Sequence, residues 1–271
     1  MDKLMTALSV NLNKIALLRN SRKGNKPSVL EFAKMAIDSG ANGITAHPRP
    51  DQRHIRVNDV FDLSSFVKAS KGKNRDGKPD IEFNLEGNPF ALAVSSDKDK
   101  NTTPDYPGLL ALIEATRPEQ ATLVPDTDEQ LTSDHGFDLL KDGERLAPII
   151  QKIKSWGVRC CLFMDPDLQQ IKLAQELDID RIELYTGPYA QSHSASAEEL
   201  NDCIDQYRQA SAYAVKLGLG VNAGHDLNLD NLAQFLAIGN VAEVSIGHAL
   251  TIDALLNGYK KTILDYSKLC S

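Results

Sequence analysis

Six histidines occur among the 271 residues, and His47, His225 and His248 each follow directly on a short apolar run. His54 lies just beyond the first of them in HPRPDQRHI, and Glu86 closes the run IEFNL. Imidazole exchanges protons near neutral pH. A carboxyl half-buried at the end of such a run has a raised pKa, which suits a general base. His47, Glu86 and His225 are therefore expected to transfer protons. The non-catalytic alternatives are a structural ion pair, for instance Glu86 with Arg49, and histidines fixed by hydrogen bonds.

A second chemistry is anion binding. GVNAGHD (220–226) and EVSIGHALTIDALL (243–256) both place Gly-His straight after an apolar run, and in the second a helix begins at once. Glycine lets the backbone approach closely, and a helix start offers unpaired N–H groups to a phosphate. Arg49, Arg53 and His54 form a candidate second clamp, arginine acting through bidentate contacts. The stretch 13–24 reads as a basic loop through Lys14, Arg19, Arg22 and Lys23, with its IALL segment packed. Metal-dependent hydrolase barrels commonly carry HxH on their first strand, whereas the first run here ends NLN. No metal and no cofactor are expected.

Elements must hold these groups together. Eight strand-like runs are visible, at 7–12, 42–47, 81–86, 120–126, 158–165, 181–187, 218–224 and 242–247. Helical patterns separate them at 28–40, about 57–70, 106–118, 141–156, 167–177, 196–217, 229–238 and 249–267. Ser28 with Glu31, and Ser196 with acidic residues after it, mark two helix starts. This alternation predicts an α/β fold, a single (β/α)8 TIM barrel spanning 1–271, for which about 250 residues is typical. The competing open sheet would show GxGxxG after its first strand, and NKIALLRN stands there instead. In a barrel the active site lies at the C-terminal rim of the strands. Asn11, Asn13, Asp126, Asp165, Glu183, Thr186, Asn222 and Gly247 fall at that rim beside the groups above.

Stretches 69–80 and 93–107 read as solvated loops, and 126–139 as a lid candidate. A net charge of -7 argues against nucleic acid as a partner without excluding a local phosphate pocket. The start MDKLMTALSVNL lacks a signal-peptide pattern, and no apolar stretch approaches the ~20 residues that span a bilayer. Cys160, Cys161, Cys203 and Cys270 form no CxxC pair and read as free thiols, which points to a reducing compartment, the cytoplasm.

The chain resembles the pyridoxine 5′-phosphate synthase family of vitamin B6 biosynthesis. SVNLNKIALLRNSR, GANGITAHPRPDQRHI, FNLEGNP, TLVPD, LFMDPD, IELYTG, VNAGHDLNLDN and EVSIGHA carry the resemblance in order along nearly the whole chain. It implies condensation of 3-amino-2-oxopropyl phosphate with 1-deoxy-D-xylulose 5-phosphate, releasing phosphate and water. It further implies His47 and Glu86 as proton acceptors, His225 as proton donor and Glu183 as the group supporting the transition states. Asn11, Arg22, Asp226, Gly247 and His248 fall where the amino-ketone phosphate is held, and Arg49, His54 and Thr132 where the deoxyxylulose phosphate is held. Asn13 and Lys14 carry over as substrate contacts, although many members of the family have Asp-His there; Asp226 replaces a glycine. The resemblance also implies a homo-oligomer, an octamer. The alternatives are a phosphosugar aldolase or isomerase with a Schiff base on Lys14, and a non-catalytic binding protein.

Overall fold

The computed structural model describes residues 5–72, 80–95, 105–127 and 130–271. Eight parallel strands close into a barrel in chain order. They are β1 Ala7–Asn11, β2 Gly43–Ala46, β3 Glu82–Gly87, β4 Gln120–Leu123, β5 Arg159–Met164, β6 Arg181–Tyr185, β7 Gly220–Gly224 and β8 Val241–Ile246. The ring is sealed where β1 pairs with β8, from Ala7↔Glu243 to Val10↔Ile246. Around it run α1 Asn13–Asn20, α2 Val29–Asp38, α3 Val57–Ser70, α4 Leu109–Thr116, α5 Leu139–Ser155 and α6 Leu168–Glu176. The circuit is completed by α7 Gly187–Ser192, α8 Ala197–Lys216, α9 Leu232–Leu236, α10 His248–Asn257 and α11 Tyr259–Leu269. The expected barrel is the observed one.

Successive strand side chains point to opposite faces, and this sequence uses the two faces for different purposes. Leu8, Val10, Ile44, Phe83, Leu85, Ile182 and Leu184 belong to the apolar core that the helices cover. Their neighbours Ser9, Asn11, Thr45, Asn84, Glu86 and Glu183 point into the barrel. Hydrogen bonds between strands that are not neighbours cross this interior: Asn222 Nδ2 donates to Gln120 Oε1 at 3.3 Å, and Asn11 Nδ2 to Glu86 Oε2 at 3.3 Å. Thr122 Oγ1 donates to Asn84 Oδ1 at 2.9 Å, and Ser9 and Thr45 share a 2.7 Å bond. Such barrels are usually filled by branched aliphatic residues; here hydrogen bonding satisfies a polar filling, which burial alone would penalise.

The helices differ from expectation in three places. The 13–24 stretch is not simply a loop, because Asn13–Asn20 is helical with Ile15, Ala16 and Arg19 buried. The helix expected over 249–267 is two, α10 and α11, broken at Gly258 with φ 84. A short helix, α7, follows β6 where none was expected. The serine starts hold: Ser28 accepts from Glu31 N at 3.2 Å, and Ser196 with Glu199 forms a capping box. Most of the expected loops at 69–80 and 93–107, namely 73–79 and 96–104, lies outside the described residues, as do 1–4 and 128–129. Among the described residues no helix is long and apolar enough to cross a membrane. The four cysteines are free, three of them buried.

Candidate active site

At the C-terminal rim the strand ends surround a cavity of about 290 Å³. Its lining takes in Asn11, Asn13 and Lys14 from the first βα turn, His47, Arg49 and His54 from the second, and Glu86 from β3. Thr132 comes from the loop after β4, Glu183 from β6, His225 and Asp226 from the end of β7, and Gly247 and His248 from the β8–α10 junction. The residues assigned from the sequence to catalysis or to a substrate all line this space except Arg22, whereas Arg53, Asp126, Asp165, Thr186 and Asn222 lie outside its lining. Arg22 lines a separate open groove with Asn20, Lys23, Asn25 and Arg56. The cause is α1: eight helical residues advance the chain by about 12 Å, carrying Arg22 off the rim. Spacing along a presumed loop could not show this.

The left half of the rim is ordered by side-chain oxygens. Asn11 Oδ1 accepts from Asn13 N at 3.0 Å, and Asn13 Oδ1 accepts from His47 N at 3.0 Å. The amide at position 13 therefore fixes the His47 backbone through an acceptor oxygen, a task that an aspartate would perform equally. His47 is buried with Nδ1 4.0 Å from Glu86 Oε2 and Nε2 3.8 Å from Asp126 Oδ2. The anticipated alternative of a Glu86–Arg49 pair is not realised. Arg49 pairs with Asp126 instead, and its Nη1 donates to the carbonyls of Thr127 (3.1 Å) and Gln130 (3.2 Å).

The right half is built on close backbone approach. A Cβ at Gly224 would collide with the Glu183 carboxyl, and one at Gly247 would stand 2.9 Å from Asn11 Cβ. Glycine at both positions lets β7 and β8 end against the cavity. His225 and Asp226 then adopt left-handed φ values of 82 and 57. For residues other than glycine such backbone costs on the order of 1–3 kcal/mol and persists only where the surroundings hold it. Here Thr186 Oγ1 donates to the Gly224 and His225 carbonyls, and Asn231 Nδ2 to the Asp226 carbonyl at 3.1 Å. The His225 ring packs edge-on against Phe163 and Tyr185.

Burial dominates the electrostatics. It pushes Glu86 up to about 8, with Asp126 and Glu243 adding repulsion. It also drives Glu183 well above the usual carboxyl range, with Glu86 and Glu243 reinforcing. Glu183 Oε2 is buried with no hydrogen-bond partner among the described residues. His47 is held well below the ordinary imidazole value by burial, then by Arg49, His54, His225 and Arg53. His225 is lowered by burial, which the nearby Asp226 and Asp126 partly offset. His54 is pushed down to about 3 by burial and Arg49. Its Nδ1 accepts from Ile55 N at 2.9 Å, leaving Nε2 to carry the proton. His54 thus meets an anion as a neutral donor rather than as a cation.

At neutral pH the cavity therefore presents Glu86 and Glu183 protonated and His47, His54 and His225 as neutral imidazoles, beside Lys14, Arg49 and the N-terminus of α10. That set can move protons and bind anionic groups. Among the described residues no group of three or more His, Cys, Asp or Glu is placed to hold a metal ion. Ser133, Ser245 and Leu131 also line the cavity and were not singled out from the sequence. Ser245 hydrogen-bonds Glu86; its position two residues before the Gly-His pair was the available signal.

Residues 8–271 match the family model described as pyridoxal phosphate biosynthesis protein PdxJ. A pyridoxine 5′-phosphate synthase from Xanthomonas campestris is 50% identical over 264 residues, covering 97% of this chain and 95% of the relative. One from Xylella fastidiosa is 49% identical over 262 residues, covering 96% and 93%. Among solved structures, a tryptophan synthase from M. tuberculosis aligns with a TM-score of 0.60 at 10% identity, covering 98% of this chain and 94% of the other. A tryptophan synthase α-subunit variant from Pyrococcus furiosus aligns at 0.56 and 14%, covering 98% and 96%. At such identities the structural likeness shows the fold alone.

Proposed function

The chain belongs to the family of pyridoxal phosphate biosynthesis protein PdxJ, and from that premise we propose that the rim cavity is where its chemistry occurs. The reaction is the pyridoxine 5′-phosphate synthase reaction: 3-amino-2-oxopropyl phosphate condenses with 1-deoxy-D-xylulose 5-phosphate, releasing phosphate and water. The substrate amine condenses with a ketone, so no enzyme lysine is consumed. Successive proton removals, dehydration and ring closure then call for several acid–base groups in one space. The observation that carries this reading is the convergence of His47, Glu86, Glu183 and His225 on one cavity that also holds anion donors.

Roles follow from protonation. Glu86, neutral below about pH 8, becomes an acceptor once it loses its proton. An arriving substrate ammonium favours that loss, because a nearby cation stabilises a carboxylate. His47 accepts protons beside it. His225 is neutral at the start, so it donates only after collecting a proton released earlier in the sequence. Glu183, protonated and unpartnered at Oε2, supports charge developing on the bound intermediates. The amino-ketone phosphate is assigned to Asn11, Asp226, Gly247 and His248 with the N–H groups opening α10. The deoxyxylulose phosphate is assigned to Arg49, His54 and Thr132, with Asn13 and Lys14 beside it. Arg22 stays outside this assignment, since nothing brings it to the cavity.

A homo-oligomer is proposed on the exposed apolar side chains of Leu17 and Leu18 on α1 and of Ile252, Leu255 and Leu256 on α10, two helices that touch. A cytoplasmic location is proposed on the free buried thiols. The test of function supplies both phosphorylated substrates to the purified protein and seeks pyridoxine 5′-phosphate by mass spectrometry. Product is expected; folded protein that binds phosphate yet makes none would sink the reading.

A further inference from the structure

Asp126 leaves β4 for the rim, and its carboxyl is almost wholly buried. Asn88 Nδ2 donates to its main-chain carbonyl at 2.6 Å, so the side chain is delivered from a fixed backbone. Oδ2 pairs with Arg49 and stands 3.8 Å from His47 Nε2. Oδ1 is buried with no hydrogen-bond partner among the described residues. Across the same imidazole, Nδ1 stands 4.0 Å from Glu86 Oε2. The ring is thus held between two carboxyl groups, one at each nitrogen.

These two neighbours are not equivalent. A carboxylate paired with arginine only accepts hydrogen bonds, so the nitrogen facing Asp126 must carry the proton. Glu86 Oε2 accepts from Asn11 Nδ2 at 3.3 Å; as the hydroxyl oxygen of a protonated carboxyl it also donates towards Nδ1, which is then the bare nitrogen. We propose that Asp126 is a positioning residue that selects the Nε2–H tautomer of His47 and stabilises the imidazolium formed when His47 takes the Glu86 proton at Nδ1. The step balances: the Glu86 O–H bond breaks, an Nδ1–H bond forms, and the released carboxylate faces the substrate as base. The net charge of the pair is unchanged, and His47 returns the proton later. The inference rests on the Glu86–His47 reading above.

These separations are longer than hydrogen bonds, and catalytic contacts of this kind tighten in the complex with substrate. Burial first, then the Arg49 and Arg53 guanidiniums, oppose a charge on His47, while Glu86 and Asp126 face its two nitrogens. A phosphate engaging Arg49 would offset the largest of these opposing charges and leave more of the Asp126 charge to His47. Substrate binding and proton transfer would then be linked through one carboxylate.

Nitrogen-15 spectra of histidine-labelled protein test this, with His47→Asn used to assign the ring. The wild type is expected to show an unprotonated Nδ1 and a protonated Nε2 on His47. In Asp126→Asn that preference should be lost and kcat should fall roughly 10²-fold or more, with a smaller change in KM and partial rescue by Asp126→Glu. A wild-type His47 with its proton on Nδ1 would overturn the proposal even if Asp126→Asn did not fold. So would an unchanged tautomer in folded Asp126→Asn with only KM raised, since Asp126 would then merely anchor Arg49. Undiminished turnover in His47→Asn would instead remove the underlying reading, leaving the tautomer result to stand separately.

Discussion

The two ends of the barrel interior contain the same residue type in opposite circumstances. Towards the N-terminal mouth, Glu82 pairs with Arg159, and Glu243 lies 3.3 Å from Arg181. Arg181 also donates to Asn222 Oδ1 at 3.0 Å, and Arg159 to Gln120 Oε1 at 3.0 Å. Towards the C-terminal mouth, Glu86 and Glu183 have no arginine or lysine within ion-pair distance among the described residues. Burial raises Glu243 to about 7 against the pull of its arginines. Glu86, among other carboxylates, rises further, to about 8. Burial alone therefore does not distinguish a structural carboxyl from a reactive one; the cation partner does.

The largest effect should come from breaking the unpaired end. Glu86→Gln keeps the shape and removes the proton acceptor, so turnover should fall by roughly 10²–10⁴ with the fold unchanged by circular dichroism. Wild-type rates would dissolve the contrast. At the paired end, Arg181→Met leaves Glu243 buried without its closest cation. Breaking a charged pair of this kind costs on the order of 3–5 kcal/mol, but Glu243, already raised to about 7, escapes most of that by taking up a proton at neutral pH, so the loss is smaller there and grows as pH rises. Denaturant unfolding should register this loss, while turnover per folded molecule stays within several-fold.

Smaller effects sharpen the picture. Gly247→Ala places a methyl 2.9 Å from Asn11 Cβ, an overpacking of about 1–3 kcal/mol. KM for the amino-ketone phosphate should rise more than kcat falls, because the α10 N-terminus is displaced. A further signature is stability against pH. Glu86 titrates near 4.5 when unfolded and about 8 when folded. Between these values the folded state holds the extra proton, so stability falls as pH rises through that window. Glu86→Gln should flatten the slope of the thermal midpoint there; an identical slope would show that Glu86 does not carry this linkage.

Much of this was legible in the sequence. The eight strands announce themselves by β-branched runs ending in glycine, proline or a polar residue, and the barrel follows from their alternation with helices. Most polar side chains at those ends share a rim, because strand direction puts them there, but Asn222 bonds Gln120 and Arg181 deeper in the barrel instead. Local patterns fail where geometry intervenes. NKIALLRN reads as a loop with its IALL segment packed, whereas it is a helix that buries Ile15 and Ala16 and exposes Leu17 and Leu18, and Arg22 is misplaced with it. The helix break at Gly258 depends on one backbone angle inside a continuous apolar pattern. Asp126 was visible as a strand-end residue, but its bond to Arg49, 77 positions away, is a tertiary fact. The left-handed turn at His225 and Asp226 is likewise a backbone fact that no run of residue types announces.

The division between paired and unpaired carboxyls is tested most directly by titrating the buried glutamates themselves. Carbon-13 spectra of glutamate-labelled protein, with Glu86→Gln to assign the signal, should show Glu86 ionising with a midpoint about 8 in the substrate-free protein. A Glu86 midpoint near the ordinary 4.5 would contradict the account, for the rim would then hold a solvated carboxylate and not a poised acid.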